Sequence, residues 1–359
     1  MKRFEAVALA TLKDIGEELG LSVATVSRAL NGFPEVNART RDRVQETADR
    51  LGYRPNRVAQ RLVTGRSGMV GMILKVSTDL QPDQTFIDIL TGLTAALGAR
   101  DVDFVLAVDQ DDDPVAAYRR MLERDMLDGF ILNAPVPNDP RVAFLRSRGV
   151  PFAMHGTTGP GADYPFYDID NRAVTTDAVQ LLTALGHRRI ALLNGAEHHA
   201  YAVDRRAGFA AAMALQGLPV PPGFMASRTP TEDYGYAEAL AMLAGQRGAP
   251  PTAFVCASTL VAAGVMRAVA DRGQSVPGDV SVIAHDDALP QLRAINFSPA
   301  LTVTRAPLRD ACAPLAQALL DRIDGADPAR LQTRIHAGLI VRDSTGPVPT
   351  GGETPWPST

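Results

Sequence analysis

Cysteine is nearly missing from this chain: its 359 residues hold two, Cys256 and Cys312. Neither stands in a CxxC pair or at metal-ligand spacing, which leaves no basis for a disulfide framework or a zinc site. Both read as small core residues in a reducing compartment. Long apolar runs are missing too. No stretch approaches the roughly 18 apolar residues of a membrane span, so none is expected. The opening MKRFEAVALATLKDIGEEL starts like a signal peptide. Its apolar run, Ala6 to Ala10, is too short for an h-region, and Lys13, Asp14 and Glu17 follow at once. The cytoplasm is therefore the expected compartment. A G-x-S-x-G nucleophile elbow and a phosphate-binding glycine loop are also lacking. Ser258, His155 and Asp286 are triad residue types, but nothing sets a serine on such an elbow, and no enzymatic activity is expected. His198-His199 has no third ligand at suitable spacing and reads as a solvated loop pair. No metal and no cofactor are expected.

What is present suits two or three domains with large cores: 46% of residues are hydrophobic and 21% charged. The net charge of −4 is unevenly spread. Residues 1–66 hold 12 Lys/Arg against 8 Asp/Glu, and the remainder 24 against 32. A basic head on an acidic body suits a nucleic-acid module attached to something that is not one.

Three short helices are expected in that head, residues 1–54. Leu12, Ile15 and Leu19 recur at helical spacing after Thr11, an N-cap with Asp14 three residues on as in a capping box, and Gly20 ends the helix. Ser22 caps a second helix with Val26, Ala29 and Leu30 inward. Asn37 caps a third with Val44, Ala48 and Leu51 inward and Gly52 as terminator. The short, glycine-containing connection from Leu19 to Val23 is the corner of a helix-turn-helix. In that motif the start of the second helix faces the major groove. Arg28 can then pair with guanine, and Val23 and Ala24 can meet thymine methyls. Thr11, Thr25 and Ser27 suit phosphate contacts, which orient without specifying. A small bundle that binds protein, with Arg28 as a solvated charge, is the alternative.

Residues 55–66 read as a hinge. Pro55 stops the third helix, and Asn56 can cap a short helix carrying Arg57, Ala59 and Arg61. Leu62 has little of its own domain to cover it and can wedge between base pairs in the minor groove. The alternative is a flexible linker; a two-turn helix is marginal alone, so it can be disordered when free and helical on DNA.

From 67 to 345 strands alternate with helices. Strands are expected at Val70–Leu74, Phe104–Val108, Gly129–Leu132, Pro151–Met154, Ile190–Leu193, Ala253–Cys256 and Val280–Ala284. Helices such as Phe86–Ala99 and Val115–Arg124 separate most of them, and the fold class is α/β with parallel sheets in two lobes. Ligands of open α/β sheets sit at strand carboxyl ends, which points to the cleft between lobes. Asn133, His155, Ser258 and Asp286 stand at such ends, and Phe86, Tyr201 and Arg205 can close over them. Amide, guanidinium, carboxylate and aromatic groups together suit a sugar. Asp287 can instead cap a loop, and Asn171 the helix that follows it. Residues 346–359, rich in Pro, Gly and Thr, are expected to be a disordered tail without leucine heptads.

The chain resembles the LacI/GalR family of bacterial transcription regulators. The resemblance rests on TLKDIGEELGLSVATVSRALNG and TRDRVQETADRLGYRPNRVAQRLVTGRSGMVGMIL, then on LGHRRIALLNG, RRAGF, VPGDVSVIAHDD and LTVTRAPL. It implies a helix-turn-helix head and a two-lobed body like type I periplasmic sugar-binding proteins. It also implies a homodimer whose hinge helices pair on a palindromic operator in double-stranded DNA, and a repressor of carbohydrate genes under a sugar-like effector. Arg205 falls on the effector-clamping arginine of R-x-x-G-F and Asp286 on the first aspartate of the DD motif; Asn133 and Phe86 match effector-facing positions. Two places depart from the family pattern. Ser258-Thr259 stands where Asn-Asp is usual, and His155-Gly156 where an aspartate-type strand ending is usual. A sugar-binding transport protein would share the body but would have no use for residues 11–63.

Overall fold

The computed structural model describes residues 10–53, 65–75, 84–124 (backbone alone at 84–86) and 126–349. The chain divides into two compact units, Met1–Ser67 and Gly68–Thr359.

In the first unit, α1 (Leu12–Leu19) starts at Thr11, whose side chain accepts from the Asp14 amide while Asp14 bonds back, a complete capping box. Gly20, at φ 65°, ends it in the left-handed region that glycine tolerates best. Ser22 caps α2 (Val23–Leu30) and Asn37 caps α3 (Ala38–Arg50), each accepting the amide three residues on. Ile15, Val26, Ala29, Val36, Val44 and Ala48 form one buried core, with Leu12, Leu19, Leu30 and Leu51 packed partly buried around it. The corner between α1 and α2 needs Gly16: a Cβ there would lie 2.7 Å from the Leu21 carbonyl oxygen. Glu18 and Arg50 pair on the surface, linking the ends of α1 and α3.

The second unit holds two six-stranded sheets. The first lobe contains β1 (Met69–Lys75), α4 (Gln84–Gly98), β2 (Asp103–Asp109), α5 (Ala116–Glu123), β3 (Gly129–Leu132), α6 (Pro140–Ser147), β4 (Phe152–His155) and β5 (Phe166–Ile169). The second contains α7 (Asn171–Ala184), β6 (Ile190–Asn194), α8 (Ala200–Leu215), β7 (Met225–Ser227), α9 (Glu232–Leu243), β8 (Ala253–Cys256), α10 (Thr259–Asp271), β9 (Ser281–Asp286) and β10 (Thr302–Arg305). The chain then returns through α11 (Arg309–Ile323) to β11 (Gln332–Ile335) in the first sheet, and ends with β12 (Gly338–Ile340) in the second.

The strand orders are β2-β1-β3-β4-β5-β11 and β7-β6-β8-β9-β10-β12, the same doubly wound order repeated. Every pairing is parallel except β10 with β12. Fully buried strands such as Gly129–Leu132 and Ala253–Cys256 are apolar throughout, because helices cover both faces. The chain crosses between sheets three times, after β5, after β10 and between β11 and β12. Val174, Ala306 and Ala337, one residue near each crossing, pack as a small core of their own with Ile169 and Ile335.

All seven expected strands exist within a residue or two of their expected limits. Five more, β5, β7, β10, β11 and β12, had no clear apolar signal, being short or half exposed. Residues 346–349, expected within the disordered tail, are held to the body: the Val348 amide donates to the Leu185 carbonyl, and the Gly346 amide to Ser281 Oγ. Buried His187 accounts for part of this, standing 3.0 Å from both Ser281 Oγ and the Gly346 carbonyl. The hinge residues Asn56, Arg57, Ala59 and Leu62 lie outside the described residues.

Candidate effector cleft and DNA-reading helix

In the head, α2 buries Val26 and Ala29 and turns Val23, Ala24 and Arg28 outward. Val23 is 47% exposed. Thr25 is drawn into the cap, its hydroxyl 2.8 Å from Ser22 Oγ, and Ser27 Oγ accepts from Asn31 at 3.4 Å. The Thr11 hydroxyl is engaged by Asp14 at 2.8 Å.

In the body, the strand carboxyl ends gather most of the candidate side chains. Arg205, on α8, is only 6% exposed. Its Nε donates to Asn171 Oδ1 and its Nη1 to the Ala257 carbonyl, both at 2.9 Å. Its guanidinium carbon stands 5.0 Å from the centre of the Tyr201 ring, and that ring stacks on His199 at 5.7 Å. Burial lowers the Arg205 pKa, with Asp287 acting against it; an arginine stays protonated nonetheless.

The two aspartates at the end of β9 diverge. Asp286 Oδ1 accepts from the Ala288 amide at 2.8 Å, and Oδ2 faces Arg305 Nε at 3.6 Å. Asp287 faces His285 at 3.3 Å. Burial opposes its ionisation, but His285, Arg205 and His155 outweigh burial and hold its pKa below the ordinary carboxylate value. Burial keeps both His155 and His285 below the usual histidine pKa, with Asp287 pulling the other way. His155 ends a strand of the first lobe and Asp287 follows one of the second, so this electrostatic pairing spans the cleft.

Asn133 follows β3 on a loop clamped by Arg141, whose Nη2 donates to the Asn133 carbonyl at 3.0 Å and to Asp139 at 2.6 Å. The same loop touches the other lobe, where the Ala200 amide donates to the Pro135 carbonyl at 2.9 Å. Ser258 caps α10, accepting from the Val261 amide. Phe86 lies on the first turn of α4, and its side chain is outside the described residues.

Sequence reasoning passed over three participants. Asn171 was weighed as a helix cap, but Asp170 takes that role, accepting from the Ala173 amide, and Asn171 turns to Arg205. Asp287, a candidate loop cap in the sequence, lies 3.3 Å from His285, and Arg205 and His155 contribute to lowering its pKa. His199 was grouped with solvated His198; it is half-buried against Tyr201, and burial pushes its pKa down to about 4. The DIDN run was the available signal for Asn171, but choosing between neighbouring Asp and Asn caps needs backbone coordinates.

Residues 11–56 match the family described as bacterial regulatory proteins, lacI family, and residues 179–345 match the periplasmic binding protein-like domain. The chain is 42% identical over 348 residues to the HTH-type transcriptional regulator AglR of Rhizobium meliloti, covering 97% of each protein. This chain belongs to the lacI family. RafR of Escherichia coli is 34% identical, with 90% of this chain and 94% of that protein covered. Among solved structures, the CelR–cellobiose complex is 28% identical with a TM-score of 0.68, covering 93% of this chain and 99% of that one. The lac repressor dimer bound to operator shares the fold at a TM-score of 0.75 and 24% identity, covering 94% of this chain and 99% of that one. As a lacI-family member the chain is a DNA-binding transcriptional regulator, and its relatives are regulators rather than enzymes. Among the described residues no helix is long and apolar enough to cross a membrane, and no group of three His, Cys, Asp or Glu could hold a metal ion.

Proposed function

We propose that this regulator is a homodimeric repressor of carbohydrate-utilisation genes, released from or locked onto a palindromic operator by a sugar-like effector bound between the lobes. One observation carries the effector reading. A buried, charged Arg205 stands in the cleft with Asp287, His155 and His285 at the strand ends around it. Paired charges of opposite sign with several hydrogen-bonding groups suit a neutral polyol better than a phosphate. The cellobiose bound by CelR supports the same class.

On this reading Asn133, His155, Tyr201, Arg205, Ser258 and Asp286 surround the effector, and Asp287 joins them. Val23, Ala24 and Arg28 read bases, while Thr11, Thr25 and Ser27 meet phosphates. The outward face of α2, with its exposed valine, supports that assignment. The test is a thermal-shift screen of the full-length protein against mono- and disaccharides, followed by operator binding with each hit. A selective ligand raises the melting temperature, and linkage requires it to change operator affinity by the factor by which operator changes its own. A sugar that binds tightly yet leaves operator affinity unchanged would remove the effector role for that sugar.

A further inference from the structure

Arg205 is held from outside its own helix. Its Nε donates to Asn171 Oδ1 at 2.9 Å, and Asn171 opens α7 where the chain has just crossed from β5 into the second lobe. The other end of the Asn171 amide is also engaged. Its Nδ2 donates to the Ile169 carbonyl at 3.0 Å and lies 3.5 Å from Asp168 Oδ1. Asp168 accepts from Thr157 Oγ1 at 3.0 Å and faces Arg334 Nε at 3.5 Å. Thr157 stands two residues beyond His155. A buried polar chain therefore runs from Arg205 in the second lobe, through the first crossing, to the loop that follows His155 in the first.

The helix does not need Asn171 for its cap, which Asp170 supplies. Asn171 is only 8% exposed, so neither end of its amide can turn to water instead. An amide carries the required pair of groups, an acceptor for a guanidinium and a donor for a carbonyl. We propose that Asn171 is a positioning residue that fixes the Arg205 guanidinium in the cleft and ties it to the crossing between the lobes. The functional weight of this rests on the reading of Arg205 as an effector contact.

The test uses the ligand-free, full-length protein. Phenylglyoxal modifies accessible guanidiniums, and peptide mass spectrometry reads its rate at Arg205, with exposed Arg272 as the internal reference. Asn171→Ala is expected to speed modification of Arg205 by about tenfold or more, the range that loss of a hydrogen bond to a charged group allows. Asn171→Asp keeps the acceptor and is expected to hold Arg205 near the wild-type rate. If Asn171→Ala does not fold, Asn171→Ser, too short to reach Nε, replaces it. Wild-type protection in the Ala or Ser variant would overturn the proposal. So would an Asp variant as reactive as the Ala variant, because the amide would then act only through Ile169. No effector enters this experiment, so failure of the sugar reading in the thermal screen is a separate result.

Discussion

At the scale of single residues, charge and reach decide the roles. Arg28 is exposed on the outward face of α2. Arg28→Ala is expected to cost about 1–3 kcal/mol at one base pair of each half-site. Fluorescence anisotropy on operators varied one pair at a time checks this; an equal loss on every sequence would make Arg28 a phosphate contact instead. In the cleft, Asp286 is tied to its own loop and to Arg305, whereas Asp287 balances Arg205. Asp286→Ala is expected to weaken effector binding about tenfold or more, since hydrogen bonds to charged groups contribute about 1.5–3 kcal/mol each. Asp287→Ala is expected to weaken it comparably, because a buried guanidinium loses its counter-charge. Operator binding without ligand should be intact in both. Titration calorimetry with a sugar from the screen reads these losses, and unchanged affinity in both variants would move the ligand elsewhere.

At the scale of elements, close approach fixes geometry more tightly than composition suggests. The corner of the helix-turn-helix brings the Leu21 carbonyl so near Gly16 that any β-carbon collides with backbone. Gly16→Ala is expected to destabilise the head by about 1–3 kcal/mol, the usual cost of overpacking. Operator affinity of the full-length protein should fall, while the melting of the body should be unmoved. Normal operator affinity would show that the corner can open without cost. The cleft loops obey a similar logic: Arg141 uses its guanidinium on Asp139 and on the Asn133 carbonyl, so the backbone just past β3 is held by hydrogen bonds from that loop.

At the scale of the whole molecule, the buried histidines make stability depend on pH. His187 is fully buried between Thr252, Ser281 and Gly346, and burial pushes its pKa below the ordinary value. His155, His199 and His285 are shifted the same way, His199 to about 4. An unfolded histidine near its ordinary pKa takes up a proton that the folded one refuses, so the unfolded state binds more protons in mild acid. This stabilisation is complete above the ordinary histidine pKa of about 6.5 and is lost as pH falls through it toward the folded values. Urea midpoints should therefore drop between pH 7.5 and pH 5, and His187→Gln should flatten that dependence. A His187→Gln profile parallel to wild type would remove His187 from this account.

Much of this was legible in the sequence because it is local. Caps at Thr11, Ser22 and Asn37 satisfy amides three residues away, and helical stripes in the head and apolar runs such as Ile190–Leu193 follow from burial of a single face or of both. The family resemblance named the DD and R-x-x-G-F motifs on the same local grounds. Strands β11 and β12 were not legible, since short half-exposed segments become strands only when a distant neighbour offers its edge, and β10 alternates polar and apolar residues although it is buried. Nor was the choice between Asp286 and Asp287, or between Asp170 and Asn171. Adjacent residues of like chemistry are told apart by where the backbone points them. Residue types and their spacing determined the helix-turn-helix head and the α/β body; the tertiary structure alone decided that Asn171, far from Arg205 in sequence, accepts from it, because a buried guanidinium must find its acceptors wherever the fold brings them.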